Sequence, residues 1–398
     1  MKMLMNVAQI GLDSHRKFGS LTARNAEMKV VARMDLDYVN RQMLARQLGQ
    51  FPPGVPVIVE GSFGWGWICD EVAAHGLSPH LASAGKVSAW RKARGKAKSN
   101  RIDADTLSIL EMNDPWWEVW LAPQEVQDQR ELLRHRMGLV QTQTQTKLRI
   151  HATLHRHGII HPGSDLFGVA GRKFLGQLLV PGDTRLRESA RVTLAAQLQL
   201  LDHLRGQIAR ITRLFRKQIL RDPVANWLRT IPGIGEVLAY TILAEVGRFD
   251  RFSQAGKLCS YACLVPVADD SGEDDGSTPI GRHVGHSGRR TLKWAFIEAA
   301  HGAVRKDAYF RGIFNRRTDN GQRDRNRGYI AVARHLCQVA HACVKQQRAY
   351  RPATPQTTDA AAMTIPVARV GKTASVVNAT EVAAGKTRTQ EVSPNQRK

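Results

Sequence analysis

The run PVIVEG at residues 56–61 constrains this chain most. An apolar segment of this length, near-continuous rather than alternating, reads as a strand buried on both faces, and such a strand needs helices on both sides of its sheet. Upstream, NVAQIGLD, RKFGSLTAR and EMKVVARM form three short β-rich runs separated by turn-like breaks. The second and third join through Asn25, which predicts an antiparallel meander. A helix is predicted over about 37–50, stopped by Pro52-Pro53-Gly54, and another over GWGWICDEVAAHG, ended at His75-Gly76. Strands that are first antiparallel and then alternate with helices predict a mixed α/β sheet with an open edge.

From residue 122 to about 220 the chain becomes long, polar and helical. Leu194, Leu201, Ile208 and Phe215 recur every seven residues, and Leu204 and Ile211 fill the alternate seam position, with Gln197 breaking it. Such a heptad predicts a coiled-coil pair, within the chain or between two subunits. A new unit begins near Asp222, with two glycine-rich turns, several short helices and a helix pair over 290–305 and 328–347. Beyond Tyr350 the sequence is Thr-, Ala-, Pro- and Val-rich without periodicity, which predicts a disordered tail. The expected organisation is therefore 1–121, 122–221, 222–349 and a tail over 350–398.

The 398 residues are too many for one typical core. Lysine and arginine number 58 against 35 acids, a formal charge of +23. A polyanion partner would relieve that self-repulsion. No apolar run approaches the roughly 20 residues needed to span a membrane, and the N-terminus shows no apolar segment of signal-peptide length. Five scattered cysteines, an odd number, suit a reducing cytoplasm. His335, Cys337, His341 and Cys343 fall on one predicted helix, where they cannot all face one ion, so they read as packing residues.

Three acids are placed as a metal-dependent phosphoryl-transfer site would place them. Asp13 closes the first strand, in IGLDSHRK; Glu60 closes the buried strand, in IVEGSFG; Asp103 starts a helix, in NRIDADTL. Acids at strand ends meet at the rim of an α/β sheet, where ligands bind, and two Mg²⁺ ions about 4 Å apart need several such oxygens. Each acid taken alone reads as an ordinary strand-end or helix-cap residue; it is Asp13 and Glu60 together, each closing an apolar strand, that suggest a shared role. The run KVSAWRKARGKAKSNR, with Arg91 and Lys92 at its centre and Trp90 inside it, reads either as a solvated charge run or as a loop that grips phosphates.

LRTIPGIGEVLAYTIL matches a helix-hairpin-helix, in which the amides of Pro232-Gly233-Ile234-Gly235 would bind DNA phosphate without reading sequence. A purely structural tight turn fits the same residues. Downstream, Gly281, Gly285 and Gly288 precede a helix that opens with Arg289, Arg290 and Lys293, a pattern suited to backbone phosphate. Ser271 lies in an acidic loop with no histidine adjacent. Its hydroxyl would need a metal or base from elsewhere to attack phosphorus.

With Asp13, Glu60, NRIDAD, IPGIG, GRFDRF and PVADDSG in this order, the chain resembles the DEDD insertion-sequence transposases, the IS-one-ten family that includes the Piv DNA invertase. The likeness runs from about residue 6 to 346. It implies a RuvC-like, RNase H-type N-terminal domain, a coiled-coil linker and a mainly α C-terminal transposase domain. It further implies Mg²⁺ held by Asp13, Glu60 and Asp103, with Ser271 as the nucleophile of a covalent serine–DNA intermediate. The implied partners are DNA, a structured guide RNA and further copies of the chain, as a dimer or tetramer, on the nucleoid of a bacterial cytoplasm. One departure stands out: the family pattern is Asp-x-x-Asp, and this chain has Asn100 where the third acid belongs. Asparagine offers a neutral oxygen to a hard cation. Asp105 is the nearest substitute, but two residues along a helix turn it roughly 200° from Asp103. A Holliday-junction-type nuclease using water, or a catalytically impaired DNA-binding relative, would share most of these features.

Overall fold

In the computed structural model, residues 4–352 are described except 63, 96, 98, 113, 115, 268–282 and 285–287. Ser271 and the tail beyond 352 therefore lie outside the described residues. The N-terminal part is a six-stranded sheet. β1 (Gln9–Ser14), β2 (Phe18–Arg24) and β3 (Val30–Asp37) form the meander, with β1–β2 and β2–β3 both antiparallel. The β2–β3 turn is closed by Asn25, whose Oδ1 accepts from Lys29 N at 2.9 Å. Next comes α1 (Arg41–Leu48), capped by Asn40, and then β4 (Pro56–Glu60), the apolar run, which pairs parallel with β1. Helix α2 (Trp65–Ala74) leads to β5 (Ser78–Ala82), parallel to β4. Helices α3 (Ala84–Ala93) and α4 (Asn100–Leu107) precede β6 (Glu118–Val119), which closes the far edge antiparallel. The strand order is β3-β2-β1-β4-β5-β6.

This is the mixed sheet expected, with β4 central because its run has no polar face to give to water. Val57, Val59 and Ile10 pack on α2 and on Leu44 and Leu48 of α1 on one face, while Ile58 meets Val87 and Leu107 on the other. The basic run before α4 is only in part the loop allowed for above: its first half, Lys86 to Ala93, lies in α3, whose Val87 is buried.

The rest is helical. α5 (Gln124–Arg156), α6 (Val169–Gln177) and α7 (Glu188–Ile219) form an antiparallel arm. Of the heptad residues, Leu194 and Leu201 pack with Ile150 and Leu154 of α5. Ile211 and Phe215 pack with Leu133 of α5, and Phe215 stacks on Tyr240 at 3.6 Å between ring centres. The stripe is thus used within the chain.

Beyond it lie α8 (Pro223–Arg229), α9 (Glu236–Val246) and α10 (Ala255–Tyr261). A short pair, β7 (Pro266–Val267) and β8 (His283–Val284), comes next. Helices α11 (Arg290–Lys306), α12 (Ala308–Thr318) and α13 (Arg325–Lys345) complete the helical part. They share one core, in which α11 contributes Leu292, Phe296 and Ala299 and α13 contributes Leu336 and Cys337. His341 is buried on α13 and hydrogen-bonds the Phe252 carbonyl at 2.9 Å.

Candidate active site

The parallel register of β1 on β4 sets Leu12 beside Val59, and one residue further stand Asp13 and Glu60 at the same sheet rim. What brings the third acid there is a glycine. Gly11 lies under α4 so closely that a Cβ in its place would come 2.2 Å from Ser108 N and 2.3 Å from Ala104 O. With no side chain between them, α4 rests directly on β1. Ser99 caps the helix through its hydroxyl, which accepts from Ile102 N at 3.2 Å. Asn100 and Asp103, three residues apart, then share the face turned to the rim.

The result is a pocket of about 420 Å³ lined by Asp13, Glu60, Asn100, Asp103, His15 and Arg91, among others. Three separate segments of the sequence therefore deliver their acids to one place. Asp13 and Asp103 are buried, at 5% and 8% exposure, while Asn100 is exposed. Two basic side chains stand against the acids. Arg91 Nε stands 3.1 Å from Asp103 Oδ1, and His15 Nε2 stands 3.1 Å from Asp13 Oδ2, without hydrogen-bond alignment. Among the described residues no three His, Cys, Asp or Glu side chains converge closely enough to hold an ion as they stand. The donors are nonetheless of the right kind for Mg²⁺, carboxylate and amide oxygens around one cavity.

Asp105 is not part of this site. On the opposite side of α4, it accepts from the Thr22 hydroxyl at 2.8 Å and from Arg33 Nε and Nη2 at 3.2 and 3.1 Å. Burial raises its pKa, but the hydrogen bonds from Arg33 and Thr22 outweigh that and hold the carboxyl below its ordinary range. Of the two residues that could stand for the third acid, only Asn100 lines the pocket.

Arg91, read above as a phosphate-gripping residue, is buried and paired with Asp103, whereas Lys92 beside it is exposed. Sequence reasoning missed this pair because its partners belong to two helices that meet only in the folded chain. Gly11, also missed, does carry a signal: a lone glycine inside an apolar strand marks close backbone approach.

The IPGIG turn joins α8 to α9, and its two glycines differ. Gly233 has φ +86°, and a Cβ there would meet Ala299 O of α11 at 2.0 Å. Gly235 is exposed, with open space around it, and caps α9. Pro232 is half-buried. The first turn of α9 holds Glu236, paired with Arg216 at 3.0 Å, so an acid already faces that helix dipole. Arg289 caps α11, Arg290 is exposed on its first turn and Lys293 is half-buried one turn on.

Residues 225–315, from α8 into α12, match the family model described as the transposase IS116/IS110/IS902 family. Along 84% of its length the chain is 24% identical to the transposase for insertion sequence element IS1328 of Yersinia enterocolitica, covering 96% of that protein. It is 29% identical over 181 residues to an insertion element IS116 protein of Streptomyces clavuligerus. It is 30% identical over 127 residues to the pilin gene-inverting protein of Moraxella bovis. In the last two cases the match spans less than half the relative's own length, 43% and 38%. The resemblance read from the ordered motifs is borne out.

Proposed function

We propose, from the premise that this chain is a relative of the IS116/IS110/IS902 transposases, that it excises and integrates an insertion sequence by cleaving and transferring DNA strands. The observation that carries this reading is the single pocket into which β1, β4 and α4 deliver Asp13, Glu60, Asn100 and Asp103. The order β3-β2-β1-β4-β5, antiparallel on one side of β1 and parallel on the other, supports an RNase H-like, RuvC-like assignment for this part. Asp13, Glu60, Asp103 and the neutral Asn100 are the residues that would hold Mg²⁺. Bound there, the metal would supply charge neutralisation at phosphate and acidify a coordinated hydroxyl.

The chain's own groups do the rest. Arg91 offsets the charge of the buried Asp103, and the His15 imidazole stands against Asp13. Ser271 is the proposed nucleophile: its Oγ bonds to phosphorus as a strand P–O bond breaks, and the serine proton passes, by way of a pocket carboxylate or solvent, to the leaving oxygen, which departs as a hydroxyl. Exposed Arg290 and Lys92 and the half-buried Lys293 are suited to phosphate. Gly235, at the exposed end of the IPGIG turn, is the part of the helix-hairpin-helix open to DNA. A structured guide RNA and further copies of the chain complete the proposed assembly, and the +23 charge suits two polyanions.

Ser271→Ala tests the chemistry with element-end DNA, Mg²⁺ and a denaturing gel. The expected result is loss of both the protein–DNA adduct and strand cleavage. Cleavage at the wild-type rate without adduct would make water the nucleophile and the protein a junction-type nuclease. A catalytically impaired relative is a second reading, favoured by Asn100 and by the Arg91–Asp103 ion pair within the pocket.

A further inference from the structure

A second cavity, of about 950 Å³, borders the carboxylate pocket along the loop after β4. Glu60 and Ser62 line the first cavity; Gly61 and Trp65 line the second, facing Arg130 and Arg134 of α5 and Arg289 at the head of α11. Its walls thus come from the sheet part, the helical arm and the C-terminal core. That is close to the upper end of small-ligand pockets, which run to about 1,000 Å³.

Two of its arginines, Arg130 and Arg289, are held in place. Arg130, only 4% exposed, donates from Nε and Nη2 to the carbonyls of Ala244 and Glu245, both at 2.9 Å. Arg289 donates from Nε to the Tyr261 hydroxyl at 3.0 Å and lies 3.7 Å from the buried Glu245 carboxylate. Arg134 stands exposed one turn beyond Arg130. The cluster strains against itself: burial first, then the charges of Arg289 and Arg134, lower the pKa of Arg130 despite the opposing pull of Glu245. An anion between these groups would relieve that repulsion. Arginine forks fixed by protein partners lose little freedom on binding phosphate. An indole in the same wall adds the surface on which an unpaired base stacks, and arginine with an aromatic is how single strands are held. A free phosphate or small nucleotide would leave much of this volume unused.

We propose that this cavity seats the backbone of a single DNA strand beside the phosphate handled in the carboxylate pocket, with Arg134 and Arg289 on its phosphates and Trp65 against a base. The assignment rests on the reading of that pocket as the strand-cleaving centre, but its test does not need cleavage.

The test is fluorescence anisotropy in EDTA with the full-length protein and a labelled DNA oligonucleotide of about 16 nucleotides, across a salt series. Arg134→Gln and Arg289→Gln should each weaken binding several-fold and reduce the magnitude of the log–log salt slope by about 0.7, the value for one phosphate on a single strand. Trp65→Ala should weaken binding about tenfold with the slope unchanged. Arg134→Lys should restore the slope, which a packing defect would not. An unchanged slope in Arg134→Gln that melts like the wild type would overturn the proposal. So would a loss confined to an RNA oligonucleotide of the same sequence, which would make the cavity an RNA seat. Because EDTA removes divalent cations, an inactive carboxylate site leaves these outcomes readable.

Discussion

Gly11 and Gly233 do the same physical job in opposite halves of the molecule, and only one of them looks important in the sequence. Each lets a helix approach backbone more closely than any side chain permits, at 2.2 Å to Ser108 N for a Cβ on the first and 2.0 Å to Ala299 O for one on the second. Gly233 sits in the conspicuous IPGIG turn, yet what it touches is α11, and the contact builds a core. Gly11 sits in a strand outside any named motif, yet its contact sets α4 on β1 and so carries Asp103 and Asn100 to Asp13. A motif's visibility therefore says little about whether its residues meet the ligand or the rest of the protein.

Substitutions can break that comparison. Gly233→Ala combines a positive φ that L residues resist with a backbone clash, roughly 1–3 kcal/mol for each, so melting should show a loss of about 4 kcal/mol. Gly235→Ala, in open space, should cost under about 1 kcal/mol. Equal effects would mean that the turn does not rest on α11. Gly11→Ala should cost about 2–3 kcal/mol as α4 shifts away, with strand cleavage falling further than the lost stability explains. Cleavage at the wild-type rate would show that α4 does not place the site.

The smallest effect concerns Asp105, which the same helix turns away from the pocket. Its folded pKa is lowered, so the stability it contributes is fully present above the ordinary aspartate pKa, about 3.9, and is lost as pH falls below it. Acid unfolding of Arg33→Gln should begin at slightly higher pH than that of the wild type. Coincident acid transitions would remove Arg33 as the partner that holds Asp105.

Much of the sheet is legible in the chain because strands announce themselves locally. The meander follows from β-rich runs with breaks, and β4 from an apolar run with no polar face. Asp13 and Glu60 could be paired because both close such strands. The helical arm was legible as heptads, but not its partner, since one stripe serves an intrachain or an intersubunit seam equally well. α3 was obscured because the lysines and arginines around Trp90 mask a helix with Val87 as its buried anchor. Arg91 beside Asp103, like Arg130 facing Arg289 in the larger cavity, depends on contacts between distant segments that no local pattern records. Ser271 rests on the motif order alone.

The most direct measurement is Mg²⁺-dependent cleavage of element-end DNA by the wild type, Glu60→Gln and Asn100→Asp, assayed side by side. If the pocket is the strand-cleaving centre, Glu60→Gln falls by about 100-fold or more and Asn100→Asp matches the wild type or exceeds it by up to about tenfold, since a charged oxygen binds a hard cation better than a neutral one. Cleavage by Glu60→Gln at the wild-type rate would place the chemistry elsewhere in the molecule.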